Sequence, residues 1–348
     1  MNTFTAASAA ATSSAAPAAP AGAAAPAGAA STVAAARSPA TTTPLPAATR
    51  LGPIELTVSD LERTVAFYTD ALGLRVRARE AEGPRDAAGP RAALGAGGED
   101  LLVLVENRAA RRAGRHAGLY HVALLYPARA ELARAVVRLA LTRTPIQGAS
   151  DHGTHEAVYL ADPDGNGLEL AADRPREQWP AIGDPSLFAG GPQPLDLDGL
   201  VALVASEPPT PRAAPGVRVG HVHLHVADAA ASLRFYAEVV GFETVIDLGP
   251  AAAFVSAGGY HHHLAFNTWR GRGVPPAPAD AVGLAHWTIY LPGEADVAAV
   301  RARIERAGIA HERRGAGVLV RDPSGNAALI AADPRPADAR EDTPRAGG

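Results

Sequence analysis

LGPIELTVSDLERTVAFYTDALGL at residues 51–74 and VGHVHLHVADAAASLRFYAEVVGF at 219–242 decide the fold, because they are one pattern written twice. Each opens with alternating residues of strand type, the period of a strand that buries one face. Each then changes to helical spacing, in the first copy at Leu61, Val65, Tyr68 and Leu72. Ser59 with Glu62 has the form of a capping box, and Gly73 and Gly241 supply helix stops. A second pair of repeats, GLYHVALLYP at 118–127 and GLAHWTIYLP at 283–292, leads into amphipathic segments near 130–141 and 294–307. These continue into YLADPDGNGLELAAD and LVRDPSGNAALIAAD, in which Asp-Pro-x-Gly-Asn marks a turn between two strands. Four βαβββ units therefore begin near residues 51, 119, 219 and 284. One unit cannot cover its own sheet face, so units should pair, each pair curving into a cupped sheet with room for a ligand. The expected class is α+β, with four βαβββ units paired into two cupped mixed β-sheet domains.

Working outward, residues 1–48 are almost wholly Ala, Pro, Ser, Thr and Gly, with prolines spaced to break any Ala-rich helix, and read as a disordered tail. The patterned regions at 49–175 and 218–334 are separated by a Pro- and Gly-containing connection at 176–217, with a short apolar segment at Leu200 to Val204. Residues 335–348 read as a loose end. The 348-residue chain has no cysteine, which excludes disulfides, thiolate metal sites and thiol nucleophiles, so a metal must be held by His and carboxylates. No apolar run approaches the roughly 20 residues of a membrane span, and no secretory signal opens the chain, so the cytoplasm is the expected location. Lysine is absent and the net charge is −4; no basic stripe points to nucleic acid.

The AFYTDALGL and DPDGNGLEL patterns resemble those of the vicinal-oxygen-chelate superfamily, which includes glyoxalase I, bleomycin-resistance proteins and extradiol dioxygenases. GLYHVALLYP, SDHGTHEAVYLADPDGNGLEL with the following DRPR and Trp179, and GHVHLHV with GGYHHHLAFNTW are similar to the two-domain catechol 2,3-dioxygenase group. That resemblance implies an extradiol ring-cleavage dioxygenase that uses Fe(II), with Mn(II) as the alternative. Its partners would be a small aromatic diol and O2, and a homo-oligomer is left open. Two His and one carboxylate suit a mononuclear non-haem Fe(II) because positions stay open for substrate and dioxygen.

In the superfamily, ligands come from the first strands of two paired units and the last strand of one. Here the first-strand positions hold Pro53, His121, His221 and His286, and the last-strand positions hold Glu169 and Leu329. Neither sequence half alone supplies the full set. Pairing the second unit with the third supplies His121, Glu169 and His221, the expected metal ligands. His223 is the runner-up to His221, His225 lines the cavity or packs, and His286 is expected to be structural, as is the pairing of units one and four. The resemblance gives His262 as the acid/base, with His261 and His263 as alternatives, since alternation alone cannot say which face of that strand is the cup. Tyr159 would hydrogen-bond the substrate oxygen, and Asp151 and His152 lie in a loop able to close over it. A glyoxalase-I-like isomerase or lyase and a metal-free binding protein are the alternative functions; the first would use a second carboxylate, and Glu55, the one first-strand acid, lies in the wrong unit.

Overall fold

The first strands of the four units pair two by two, and these pairings organise the computed structural model, which describes residues 42–81, 89–180 and 191–336. The proline-rich tail up to residue 41, part of the connection at 181–190 and the C-terminal end from 337 lie outside the described residues. Arg50–Val58 of unit one runs antiparallel to Ala281–Leu291 of unit four. Gly118–Tyr126 of unit two runs antiparallel to Arg218–His225 of unit three. Each first strand also pairs in parallel with a later strand of its own unit, for example Gly118–Tyr126 with Gly167–Asp173. Two nine-stranded mixed sheets result, one built on units one and four and the other on units two and three. The sequence repeats at 49–175 and 218–334 thus each contribute one unit to each sheet.

The second sheet runs in the order Gln193–Pro194, Gly148–Asp151, His155–Ala161, Gly167–Asp173, Gly118–Tyr126, Arg218–His225, Leu264–Asn267, Ala252–Ser256 and Glu243–Asp247. Alternation divides its residues between two faces. Val122, Leu124, Leu168, Leu170, Val222 and Leu224 are almost fully buried in the core. At about 25 cal/mol per Å² this apolar face drives the sheet onto its helices. The intervening positions carry His121, Glu169, His221 and His223, which are buried as well and therefore need polar partners.

Helices follow from the same repeat. Leu61–Asp70 buries Leu61, Val65 and Tyr68 on one stripe, and Asp60 caps it by accepting from the Arg63 N–H. The capping box expected from Ser59 and Glu62 does not form. Ser59 instead donates its hydroxyl to Asp164 Oδ1 at 2.5 Å, a pull from the DPDGN turn that leaves the cap to Asp60. Gly73 stops the helix in the left-handed region (φ 73°), where a Cβ would come within 2.6 Å of the Ala213 nitrogen. In unit three the helix Ala229–Arg234 widens into a π-helical turn at Phe235–Val240 and stops at Gly241, with φ 106°. Tyr68 donates to Asp162 at 3.3 Å and Tyr236 to Asp322 at 3.1 Å, so each of these helices is tied to the Asp-Pro-x-Gly-Asn turn of the following unit, which belongs to the other sheet.

The connection contributes structure of its own: Gln193–Pro194 adds an edge strand, and Leu197–Ala202 forms a short helix capped by Asp196. Residues 42–48, expected to belong to the loose tail, are docked. Leu45 is 4 % exposed, its N–H donates to the Gly241 carbonyl at 2.8 Å, and Thr42 donates to the Glu238 carbonyl. The single leucine in that stretch packs against the core, a pattern too short to give a periodic signal.

Candidate metal centre

Three neighbouring strands carry the centre. Glu169 lies beside Ala123 in the parallel ladder of unit two, and Ala123 is paired with His221 of unit three, so the two side chains flank one small residue on one face. His121 stands two residues before Ala123 on that face. One ligand atom from each of His121, Glu169 and His221 lies within 4.8 Å of the others, and all three residues are buried. Nε2 of His121 is 3.1 Å and Nε2 of His221 3.2 Å from the same carboxylate oxygen, Glu169 Oε2. Burial alone would raise the Glu169 carboxyl, but the His221, His121 and His155 imidazoles outweigh it and hold the acid well below the usual carboxylate range. Burial pushes His221 down, against the pull of Glu169, which keeps its imidazole neutral and its lone pair available.

Residues 50–170 and 218–330 match the model of the "Glyoxalase/Bleomycin resistance protein/Dioxygenase superfamily". The chain belongs to this superfamily. A curated relative, "Catechol-2,3-dioxygenase" of Bacillus subtilis strain 168, is 38 % identical over 281 residues, covering 79 % of this chain and 94 % of that protein. Among solved structures, a putative dioxygenase from B. subtilis superposes with a TM-score of 0.60 at 16 % identity, covering 84 % of this chain and 87 % of the other. Glyoxalase I from Zea mays gives 0.51 at 17 %, covering 81 % and 92 %. These two structural likenesses speak to the fold alone.

Within this superfamily fold, the donor set can hold a divalent first-row metal. Two imidazoles and one carboxylate converge from three strands. Among the described residues, the second carboxylate oxygen, Oε1, is buried and accepts no hydrogen bond of good geometry, although His155 Nε2 stands 3.1 Å away. That under-coordinated oxygen suits a site built for a ligand the chain itself does not supply.

Tyr159 faces Glu169 directly across the antiparallel ladder, and its ring centroid is 5.7 Å from that of His121. Burial, reinforced by Glu169, raises the phenol well above its ordinary range, so it is a neutral hydrogen-bonding group. His152 Nε2 and the Tyr159 hydroxyl are 2.7 Å apart. Burial and the neighbouring His155 push His152 down to about 3. Asp151 is held by Arg174 at 2.5 Å rather than directed at the centre.

The three consecutive histidines depart from the sequence expectation. The strand begins only at Leu264, so His261, His262 and His263 lie on a bend and do not alternate between faces. His261 and His262 both turn toward the centre: the His262 ring is 4.1 Å and the His261 ring 6.1 Å from that of His221. His263 is bonded to Ser256 and to the Ala257 N–H. On the other side, His223 bonds Asn267 Nδ2 at 2.8 Å and His225 bonds its Oδ1 at 2.9 Å, so a single amide engages both. Tyr120 and Trp269 stack edge to face at 5.4 Å beside His223 and remain the exposed border of the cluster. In the other sheet the corresponding positions hold Pro53, His286 and Leu329, and His286 is 3.5 Å from Glu55.

His155 and Asp173 were not singled out from the sequence. Both could have been found by period two, since His155 lies four residues before Tyr159 and Asp173 four after Glu169, and they are cross-strand partners. Asn267 carried no signal beyond its place after the LAF strand. Among the described residues, no helix is long and apolar enough to cross a membrane.

Proposed function

We propose that this protein is an extradiol ring-cleavage dioxygenase, inserting O2 into a catechol-type aromatic ring at one mononuclear Fe(II), with Mn(II) as the alternative metal. The observation that carries the reading is the convergence of His121, Glu169 and His221 on one buried point, two His and one carboxylate drawn from both sequence halves. The 38 % identity to a protein named catechol-2,3-dioxygenase supports it. The bound metal would supply the redox chemistry and a place for the diol and O2 to meet.

The chain's own residues bind, orient and move protons. Burial of the three ligands excludes bulk water from the centre. The neutral Tyr159 hydroxyl can donate to a ring oxygen of the substrate, with His152 holding the phenol in place. His262 is the acid/base: burial and the neighbouring His221 push its pKa well below the ordinary histidine value, so it is neutral and ready to accept a proton from the diol. Tyr120 and Trp269 offer aromatic faces at the exposed border, where an incoming ring can stack. An isomerase of the glyoxalase kind would employ a second carboxylate at the metal. Asp173 is the second acid near the centre, and its oxygens are engaged by Tyr260 and His261.

The test is anaerobic reconstitution with Fe(II) followed by an oxygen-electrode assay over a panel of catechols. Equimolar oxygen uptake with formation of a yellow ring-opened product is expected. Turnover of a hemithioacetal without oxygen uptake would replace this reading with the isomerase.

A further inference from the structure

His262 does not stand alone beside His221. Its Nδ1 is 2.8 Å from Nδ1 of His261, and Nε2 of His261 is 3.1 Å from Asp173 Oδ1. The assembly is packed from several sides: the His155 ring stacks on His261 at 4.7 Å, and Tyr260 and Trp179 cover it at 4.0 and 5.0 Å. His261 and His262 are 5 % and 7 % exposed. Among the described residues, Nε2 of His262 has no hydrogen-bond partner, while its ring lies 4.1 Å from that of His221.

A carboxylate can only accept hydrogen bonds, and a neutral imidazole carries one N–H and one lone pair. Asp173 therefore requires the proton of His261 on Nε2. The lone pair of His261 is then on Nδ1, and the bond to His262 can form only if His262 places its proton on its own Nδ1. That leaves the lone pair of His262 on Nε2, the nitrogen without a partner. We infer that Asp173, acting through His261, fixes the tautomer of His262 so that Nε2 faces the substrate cavity as a proton acceptor. Asp173 and His261 are positioning residues, and the logic matches that by which a buried carboxylate sets the tautomer of a catalytic histidine elsewhere. The reverse tautomer chain would set two lone pairs against each other at the Asp173–His261 contact.

The inference rests on the acid/base role given to His262, but its first test does not. Long-range proton–nitrogen spectra of the full chain, labelled with ¹⁵N-histidine and loaded with diamagnetic Zn(II), report which ring nitrogen of His262 is protonated. Nδ1–H is expected in the wild type and in Asp173→Glu, whereas Asp173→Leu and His261→Phe should both release His262 into a mixture with Nε2–H. Tyr260→Phe, which removes the other side-chain bond to Asp173, should leave the tautomer unchanged. In the iron-loaded enzyme, Asp173→Leu should lower kcat by about 10- to 100-fold with iron content retained, and should cost nothing further in a His261→Phe background. A wild-type His262 protonated on Nε2 overturns the inference. So does a further loss of kcat on adding Asp173→Leu to His261→Phe. Tautomer shifts as expected in a protein that never consumes oxygen would instead remove the dioxygenase reading and leave the relay standing. Should Asp173→Leu fail to fold, His261→Phe alone carries the spectroscopic comparison.

Discussion

Replacing His155 by Phe would separate what supports the proposed metal from what binds it. The His155 ring lies between His152 at 4.5 Å and His261 at 4.7 Å, nearly parallel to both. A phenyl ring preserves that stack. What it removes is Nε2, 3.1 Å from Glu169 Oε1, an ion-pair contact rather than a well-aligned hydrogen bond, which helps hold the carboxylate ionised and in place. Groups that orient a ligand in this way are worth about 10- to 100-fold in metal affinity, or about 1.4 to 2.7 kcal/mol. The proposed direct ligands should be worth more: His121→Ala or Glu169→Gln should leave no stoichiometric iron at all. An anaerobic competition titration with a chromogenic Fe(II) chelator resolves the two levels. An affinity within about twofold of wild type would show that Glu169 needs no help from His155. A loss as complete as that of His121→Ala would make His155 a ligand, and the proposed three-residue set would then be incomplete.

His262→Phe should retain iron and bind catechol, while turnover falls by about 10² to 10⁴, measured by oxygen uptake and metal content together. Leu45→Ala should cost about 2 to 3 kcal/mol, the low end for a leucine whose surroundings can close in, and lower the melting temperature by several degrees. Deletion of residues 1–41 should leave the melting temperature within about 1 °C. Asp333 is gripped by Arg50 through two contacts of 2.7 Å and by Arg335, which outweigh burial and depress its pKa. A depressed acid stabilises the fold above its unfolded pKa of about 4 and loses that contribution as pH falls toward the folded value. The melting gap between wild type and Asp333→Asn should thus be constant above about pH 5 and close as pH falls below 4. A gap that widens on acidification would show that the Arg50 pair is not its source.

The repeat made most of the fold legible. Strand and helix periods in the copies at 51–74 and 219–242 are undisturbed by function on the core side, and the turn residues are explicit. The pairing of unit two with unit three was legible through chemistry rather than propensity, because Pro53 and Leu329 cannot be ligands. Three features were not. The His261–His263 run reads as a strand, but the bonds of His261 to Asp173 and of His263 to Ser256 hold that segment as a bend, a tertiary override that alternation cannot register. Ser59 has the chemistry of a helix cap, yet a partner 105 residues away in sequence takes its hydroxyl. Leu45 sits in composition typical of disorder, and a single buried side chain leaves no periodic trace. His155 and Asp173, by contrast, obey the strand period and became conspicuous only once the carboxylate between them had a position.

The most direct measurement is a crystal structure of the anaerobically loaded protein with diffraction recorded on both sides of the iron absorption edge. A single iron peak is expected on the face shared by units two and three, about 2.1 Å from Nε2 of His121, from Nε2 of His221 and from a Glu169 carboxylate oxygen. Iron at the His223–His225–Asn267 cluster, at Glu55 and His286 in the other sheet, or at no ordered position would contradict it.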